Sequence, residues 1–211
     1  MTLPFRLLVI ADHAVCATDD EFLARVEQVG VAPELWLQLR IKTLPRADRA
    51  LLLTATANLL GEARGRTIVN GTMAEARDYA CAGGHYPEIA LPPELEDHPG
   101  LLAGASVHSV AARQAAEEAG VDYVIAGSVF APSSKPGEGR GVDWLARMTR
   151  GSTVPVIAIG GITIDNAPRL IRAGADAVAV ITALFGARDS AGVQAAARSF
   201  CSAIAGARKA P

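Results

Sequence analysis

Short apolar runs bounded by turn residues recur along the chain at 7–12, 34–40, 67–71, 88–92, 102–108, 123–130, 155–162 and 177–184. Most are continuous rather than alternating, as in parallel strands covered on both faces. Between them the apolar positions switch to helical spacing, at 19–29, 46–61, 73–82, 110–119, 142–150, 165–173 and 190–206. Ser109 stands as an N-cap before the apolar-periodic run at 110–116, Asp165 opens the helix after the seventh strand, and Gly174 closes it. The stretch from Leu91 to Gly100 contains Pro92, Pro93 and Pro99, which leaves room for at most one helical turn.

Eight strands alternating with helices predict an α/β fold of the (β/α)8 type, a TIM barrel, as a single domain over residues 1–211 with a degenerate fourth helix. The clearest signal is the strand ending at Ile159-Gly160-Gly161-Ile162, followed by a second buried strand that ends at Ile181-Thr182. Glycines at the end of an apolar strand let a ligand approach bare N–H groups, and a helix start just beyond adds more donors. Tandem units of this kind after strands seven and eight form the phosphate site of such barrels. The plainer alternative is an ordinary parallel sheet whose glycines serve only tight packing.

Composition narrows the function classes. Half of the 211 residues are hydrophobic, so a large core is expected, and the net charge of −2 offers no footprint for nucleic acid or for an anionic membrane. The apolar run near the N-terminus is too short for a signal peptide, and no stretch approaches the roughly 20 apolar residues that span a bilayer. Cys16, Cys81 and Cys201 lack metal-ligand spacing and fit reduced thiols in the cytoplasm.

In such barrels chemistry gathers at the C-terminal strand ends. There, Gln38, Arg40 and Lys42 alternate along the second strand, so they point to one side and suit a phosphate or pyrophosphate. An ion pair, with Asp12 as the partner, is the competing use of Arg40. His108 ends the fifth strand between hydroxyl-bearing neighbours and could move a proton, although a role in holding the next helix start would also explain it. His13 sits at a strand end where solvation is expected, and His85 and His98 lie in polar loop sequence that suggests nothing specific. Residues 131–141 form a Gly- and hydroxyl-rich segment containing Ser133, Ser134 and Lys135, with the composition of a lid. No pair of carboxylates at the strand ends is spaced for Mg²⁺, and Glu94 and Glu96 could supply at most one ligand.

Together these pieces resemble the thiamine phosphate synthase superfamily over nearly the whole chain. The matching residues are Gln38-Leu39-Arg40-Ile41-Lys42, Asn70, Ser106-Val107-His108-Ser109, Asp122-Tyr123-Val124, Ser133-Ser134-Lys135, Ile159-Gly160-Gly161-Ile162 with Asn166, and Ala173-Gly174-Ala175-Asp176 leading to Val180-Ile181-Thr182-Ala183. The resemblance implies that Gln38, Arg40, Lys42, Asn70, Ser106 and Lys135 contact a pyrimidine pyrophosphate. It implies that Gly161, Ile181 and Thr182, with Gly160 beside them, cradle a thiazole phosphate, and that residues 132–134 touch the thiazole. Two Mg²⁺-binding aspartates of the synthases are replaced, one by Gly71 and one within the segment Pro92-Pro93-Glu94-Leu95.

Those replacements, with Asn70-Gly71 and Ala90-Leu91-Pro92, favour the thiazole tautomerase (TenI-like) branch. The expectation is then an isomerase that aromatises a thiazole carboxylate phosphate tautomer by proton transfer at His108, with no metal and no cofactor. The alternative is a thiamine phosphate synthase, a transferase that would call for Mg²⁺. A non-catalytic phosphate-ligand sensor and a phosphosugar-type isomerase remain as further readings. The expected partner is the small-molecule thiazole phosphate, and exposed apolar strand ends leave room for a homo-oligomer.

Overall fold

A computed structural model describes residues 2–131, 138–186 and 189–207. Eight parallel strands close into a barrel in chain order, β1 pairing with both β2 and β8. They are β1 (Leu7–Asp12), β2 (Trp36–Arg40), β3 (Thr67–Val69), β4 (Gly83–Tyr86), β5 (Leu102–Val107), β6 (Tyr123–Gly127), β7 (Val156–Ile159) and β8 (Ala177–Val180). The helices are α1 (Asp19–Gly30), α2 (Arg46–Leu60), α3 (Met73–Asp78), α4 (Val110–Glu118), α5 (Val142–Thr149), α6 (Ala167–Arg172), α7 (Thr182–Phe185) and α8 (Ser190–Ala205). None of the described helices is long and apolar enough to cross a membrane.

The two-residue period of a strand sorts the core into two shells. Leu8, Ile10, Ile68, Tyr123, Ile125, Ile157, Ala177 and Ala179 fill the barrel interior. Leu7, Val9, Leu37, Leu39, Val69, Val124 and Val178, one residue out of phase, pack against the helices. Phe5 and Trp36 close the lower end, their rings 4.9 Å apart. The same alternation carried to the upper strand ends turns Asp12, Gln38, Asn70, His85 and Ser106 toward the barrel mouth.

Helix starts follow the local chemistry. Thr18, Ser109 and Asp189 each accept the backbone N–H three residues on, and Thr72 with Glu75 forms a full capping box on α3. Gly174, at a φ of 102°, closes α6 as its sequence position predicts. Asp165 does not cap that helix; Asn166 holds the cap position, exchanging bonds with Thr163.

Three boundaries differ from the sequence reading. The fourth strand is Gly83–Tyr86, and Glu88–Ala90 forms a single 3₁₀ turn. The cause is steric: a side chain at Gly83 would enter the Leu102 carbonyl, and one at Gly84 would press on Met73 Sδ and the Thr72 carbonyl, each 3.0 Å away. A strand built on glycines carries no β-branched signal. The third helix ends at Asp78, because Ala80 takes a left-handed turn with φ 51° that feeds β4. The eighth strand stops at Val180, and 182–185 is helical. No α-helix separates β4 from β5, as the prolines predict; Leu91, Leu95 and Leu101 cover that flank by packing on Met73, Tyr86 and Ala103.

Candidate active site

The barrel mouth opens into a cavity of about 1360 Å³. Its lining includes Gln38, Arg40, Lys42, Asn70, Ser106 and His108 on one side and Gly160, Gly161, Ile181 and Thr182 on the other. The structure therefore brings together every candidate residue that it describes. Ser133, Ser134 and Lys135 lie outside the described residues.

Arg40 does not stand free. It is the register partner of Asp12 on the adjacent strand, and its Nη1 donates to Asp12 Oδ2 at 2.5 Å. Asp12 is 7% exposed and also accepts the Ala14 N–H, so its carboxylate is fixed beside Arg40 and offsets the guanidinium charge. Lys42 takes part in none of the ion pairs formed by the described residues. Burial, followed by repulsion from Arg40, lowers its pKa from the usual lysine range. Gln38 Oε1 accepts from Asn70 Nδ2 at 3.3 Å, while the buried Gln38 Nε2 has no hydrogen-bond partner. Gln38 is among the residues that line the cavity, and an acceptor brought against Nε2 would satisfy this donor.

His85, passed over in the sequence, is fully buried below this rim. Its Nε2 lies 2.9 Å from Ser106 Oγ and its Nδ1 lies 3.3 Å from the Tyr123 hydroxyl. Burial, with Lys42 nearby, pushes its pKa down to about 3, so the ring is neutral at physiological pH. Burial pushes the Tyr123 hydroxyl well above its usual range, so it keeps its proton. His13 is also buried rather than solvated, held by Asp19 at 2.7 Å and Thr43 at 2.9 Å. His108 is the exposed one: its side chain is 53% accessible, and Nδ1 meets Glu88 Oε2 at 2.7 Å. Arg140 donates to the His108 carbonyl at 2.5 Å, so the loops after β4, β5 and β6 join at this point.

On the far rim, Gly160 and Gly161 adopt φ values of 108° and 57°. A Cβ on Gly160 would meet Ser128 Cβ at 2.5 Å, and one on Gly161 would meet the Ala131 carbonyl at 2.6 Å. These glycines are thus needed for the close passage of the loop after β6, which bonds back through Phe130 N–H to Gly160 O. They leave bare backbone facing the cavity beside the start of α7.

The donor set does not fit a two-aspartate Mg²⁺ site. The space in which a side chain at Gly71 would project is filled by the Glu75 carboxylate, which pairs with Arg49 and accepts the Thr72 N–H. The segment that follows β4 at the mouth is Pro87-Glu88-Ile89, whereas Leu95 packs beside Met73 and Tyr86 with its N–H bonded to Ala119 O. No three His, Cys, Asp or Glu residues cluster for a metal among the described residues, and the undescribed segments contain none of these types. Of the carboxylates lining the mouth, Asp12 and Glu88 are already paired.

Comparison with known proteins corrects the functional expectation. The chain is 39% identical over 191 residues to a thiamine-phosphate synthase of Methanoculleus marisnigri, with 88% of each protein covered. It is 40% identical over 193 residues to a thiamine-phosphate synthase of Azoarcus sp., covering 86% of this chain and 89% of the relative. The structure superposes on thiamine phosphate pyrophosphorylase from Pyrococcus furiosus with a TM-score of 0.76 and 29% identity, over 95% and 96% of the two chains. These relatives carry a transferase name, which overturns the tautomerase and isomerase expectation. That expectation leaned on the replaced carboxylates and on His108, a half-exposed residue already engaged with Glu88. The family described as thiamine monophosphate synthase matches residues 7–184, and the chain belongs to it.

Proposed function

We propose that the protein is a thiamine-phosphate synthase, coupling hydroxymethylpyrimidine pyrophosphate to thiazole phosphate with departure of pyrophosphate. The observation that carries this reading is identity of 39–40% to thiamine-phosphate synthases over most of both chains. The cavity supports it, because two polar rims face one space large enough for two ligands. On the β2–β5 rim, Lys42 supplies the cation that is not ion-paired, Arg40 is held in place by Asp12, and Gln38 Nε2 awaits an acceptor. This rim suits the pyrophosphate and the pyrimidine. The β7–β8 rim, with Gly160, Gly161, Ile181 and Thr182, suits the smaller phosphate through backbone N–H groups. Preorganised donors aimed at the departing pyrophosphate stabilise charge as it develops. Because the residues do not fit the two-aspartate site, no step is assigned to Mg²⁺.

The test is incubation of the purified protein with both phosphorylated precursors, with and without Mg²⁺. Appearance of thiamine phosphate and pyrophosphate in equal amounts supports the reading. Failure to form either product under both conditions overturns it.

A further inference from the structure

Two buried groups and one half-buried group under the mouth are linked in a line: the Tyr123 hydroxyl, the His85 ring and the Ser106 hydroxyl. Tyr123 is 0% exposed, and its hydroxyl hydrogen has His85 Nδ1 as its sole acceptor among the described residues. A buried donor left without an acceptor carries a large desolvation penalty, so the hydroxyl donates to Nδ1. Nδ1 must then be bare, which places the single proton of the neutral ring on Nε2. Nε2–H in turn donates to Ser106 Oγ, 2.9 Å away. The Ser106 oxygen is used as an acceptor, and its own hydrogen has no other partner among the described residues. Ser106 lines the cavity, so that hydrogen is available to a ligand.

We propose that Tyr123, His85 and Ser106 form a one-way hydrogen-bond chain that holds His85 as its Nε2–H tautomer and turns the Ser106 hydroxyl hydrogen toward the cavity, favouring a ligand atom that carries a lone pair. His85 is therefore a positioning residue, acting on the ligand through Ser106. If the opposite tautomer formed, Ser106 would donate to His85 and offer the cavity only an acceptor, and the buried Tyr123 hydrogen would be orphaned. A pyrimidine ring nitrogen has the required lone pair. Assigning that ring as the ligand rests on the synthase reading, whereas the direction of the chain does not.

Two measurements test the proposal. A long-range ¹H–¹⁵N correlation spectrum of the full ¹⁵N-labelled chain at neutral pH should show His85 with a protonated Nε2 and a bare Nδ1. A protonated Nδ1, alone or with Nε2, overturns the chain. Calorimetry with hydroxymethylpyrimidine pyrophosphate and with its benzene-ring analogue should give a roughly five- to tenfold preference for the pyrimidine, the size of one hydrogen bond. Ser106→Ala should narrow that preference by about the same factor; no preference in the unaltered protein, or a preference undiminished in Ser106→Ala, overturns the selection by Ser106. Absence of coupling turnover bears on the synthase reading alone, since the ring spectrum is recorded without substrate.

Discussion

Asp12 and Arg40 face each other as register partners on β1 and β2, and their side chains close at 2.5 Å on the wall of the cavity. The pair holds the guanidinium in place and offsets its charge. An anion entering the mouth therefore meets an arginine that has already been answered.

Asp12→Asn should separate these two effects. Stability should fall by about 1–3 kcal/mol in urea unfolding, because a mostly buried partner has been removed from a cation that is still partly solvated. Inorganic pyrophosphate should bind more tightly, since the Arg40 charge is released. Weaker binding would show that Asp12 serves the ligand rather than restraining Arg40.

Lys42→Met should weaken pyrophosphate binding about tenfold or more at neutral pH, read by calorimetry. Burial and Arg40 both lower the Lys42 pKa, so affinity in the unaltered protein should decline on the alkaline side before the ordinary lysine range is reached. The variant should lack that alkaline limb.

His85 gives the fold a dependence on pH. The folded ring titrates at about 3 and the unfolded one near the ordinary 6.5, so between these values the unfolded chain binds more protons. Stability from this source is complete above the unfolded value. It falls by about 1.4 kcal/mol per pH unit as the pH drops through that window. Urea midpoints measured from pH 7 down to pH 4.5 should show the slope, and His85→Gln should flatten it.

Gly71→Asp should fail to restore a metal site and should cost about 1–2 kcal/mol. The new carboxylate enters the space of Glu75 and displaces it from the Thr72 capping box and from Arg49. Thermal unfolding with and without Mg²⁺ checks both halves: the midpoint should drop and should not respond to the ion.

The βα rhythm was legible because most of the strands are runs of valine, isoleucine, leucine and alanine buried on both faces. The mouth residues on β2 could be read from their alternation alone, and Asp12 was a visible partner for Arg40. β4 was not legible: Gly83-Gly84-His85-Tyr86 has the composition of a loop, and its glycines answer to a carbonyl and a methionine distant in the sequence. With that strand misplaced, His85 was lost with it. The available signal was paired glycines followed by an aromatic, which marks close backbone approach more often than solvent. Gly71 and Leu95 misled differently. Missing carboxylates describe a change in one site, whereas similarity over nine-tenths of a relative's length reports on the whole barrel.

The barrel is insulated unevenly. Where other strand pairs are joined through a helix, β4 and β5 are covered by a strap carrying Leu91, Leu95 and Leu101. A strap has no internal hydrogen-bond ladder, so it can peel away without a helix unwinding. This thin flank covers only the outer face of β4, where Tyr86 packs on Met73, while His85 on the same strand points into the barrel. Water admitted beneath Leu95 would reach the Tyr86 hydroxyl and the Met73 N–H that donates to it, loosening the start of α3 before the barrel interior is touched. The three leucines are thus a weather seal on the outside of the barrel wall, and the first opening of the fold is expected there rather than at the mouth.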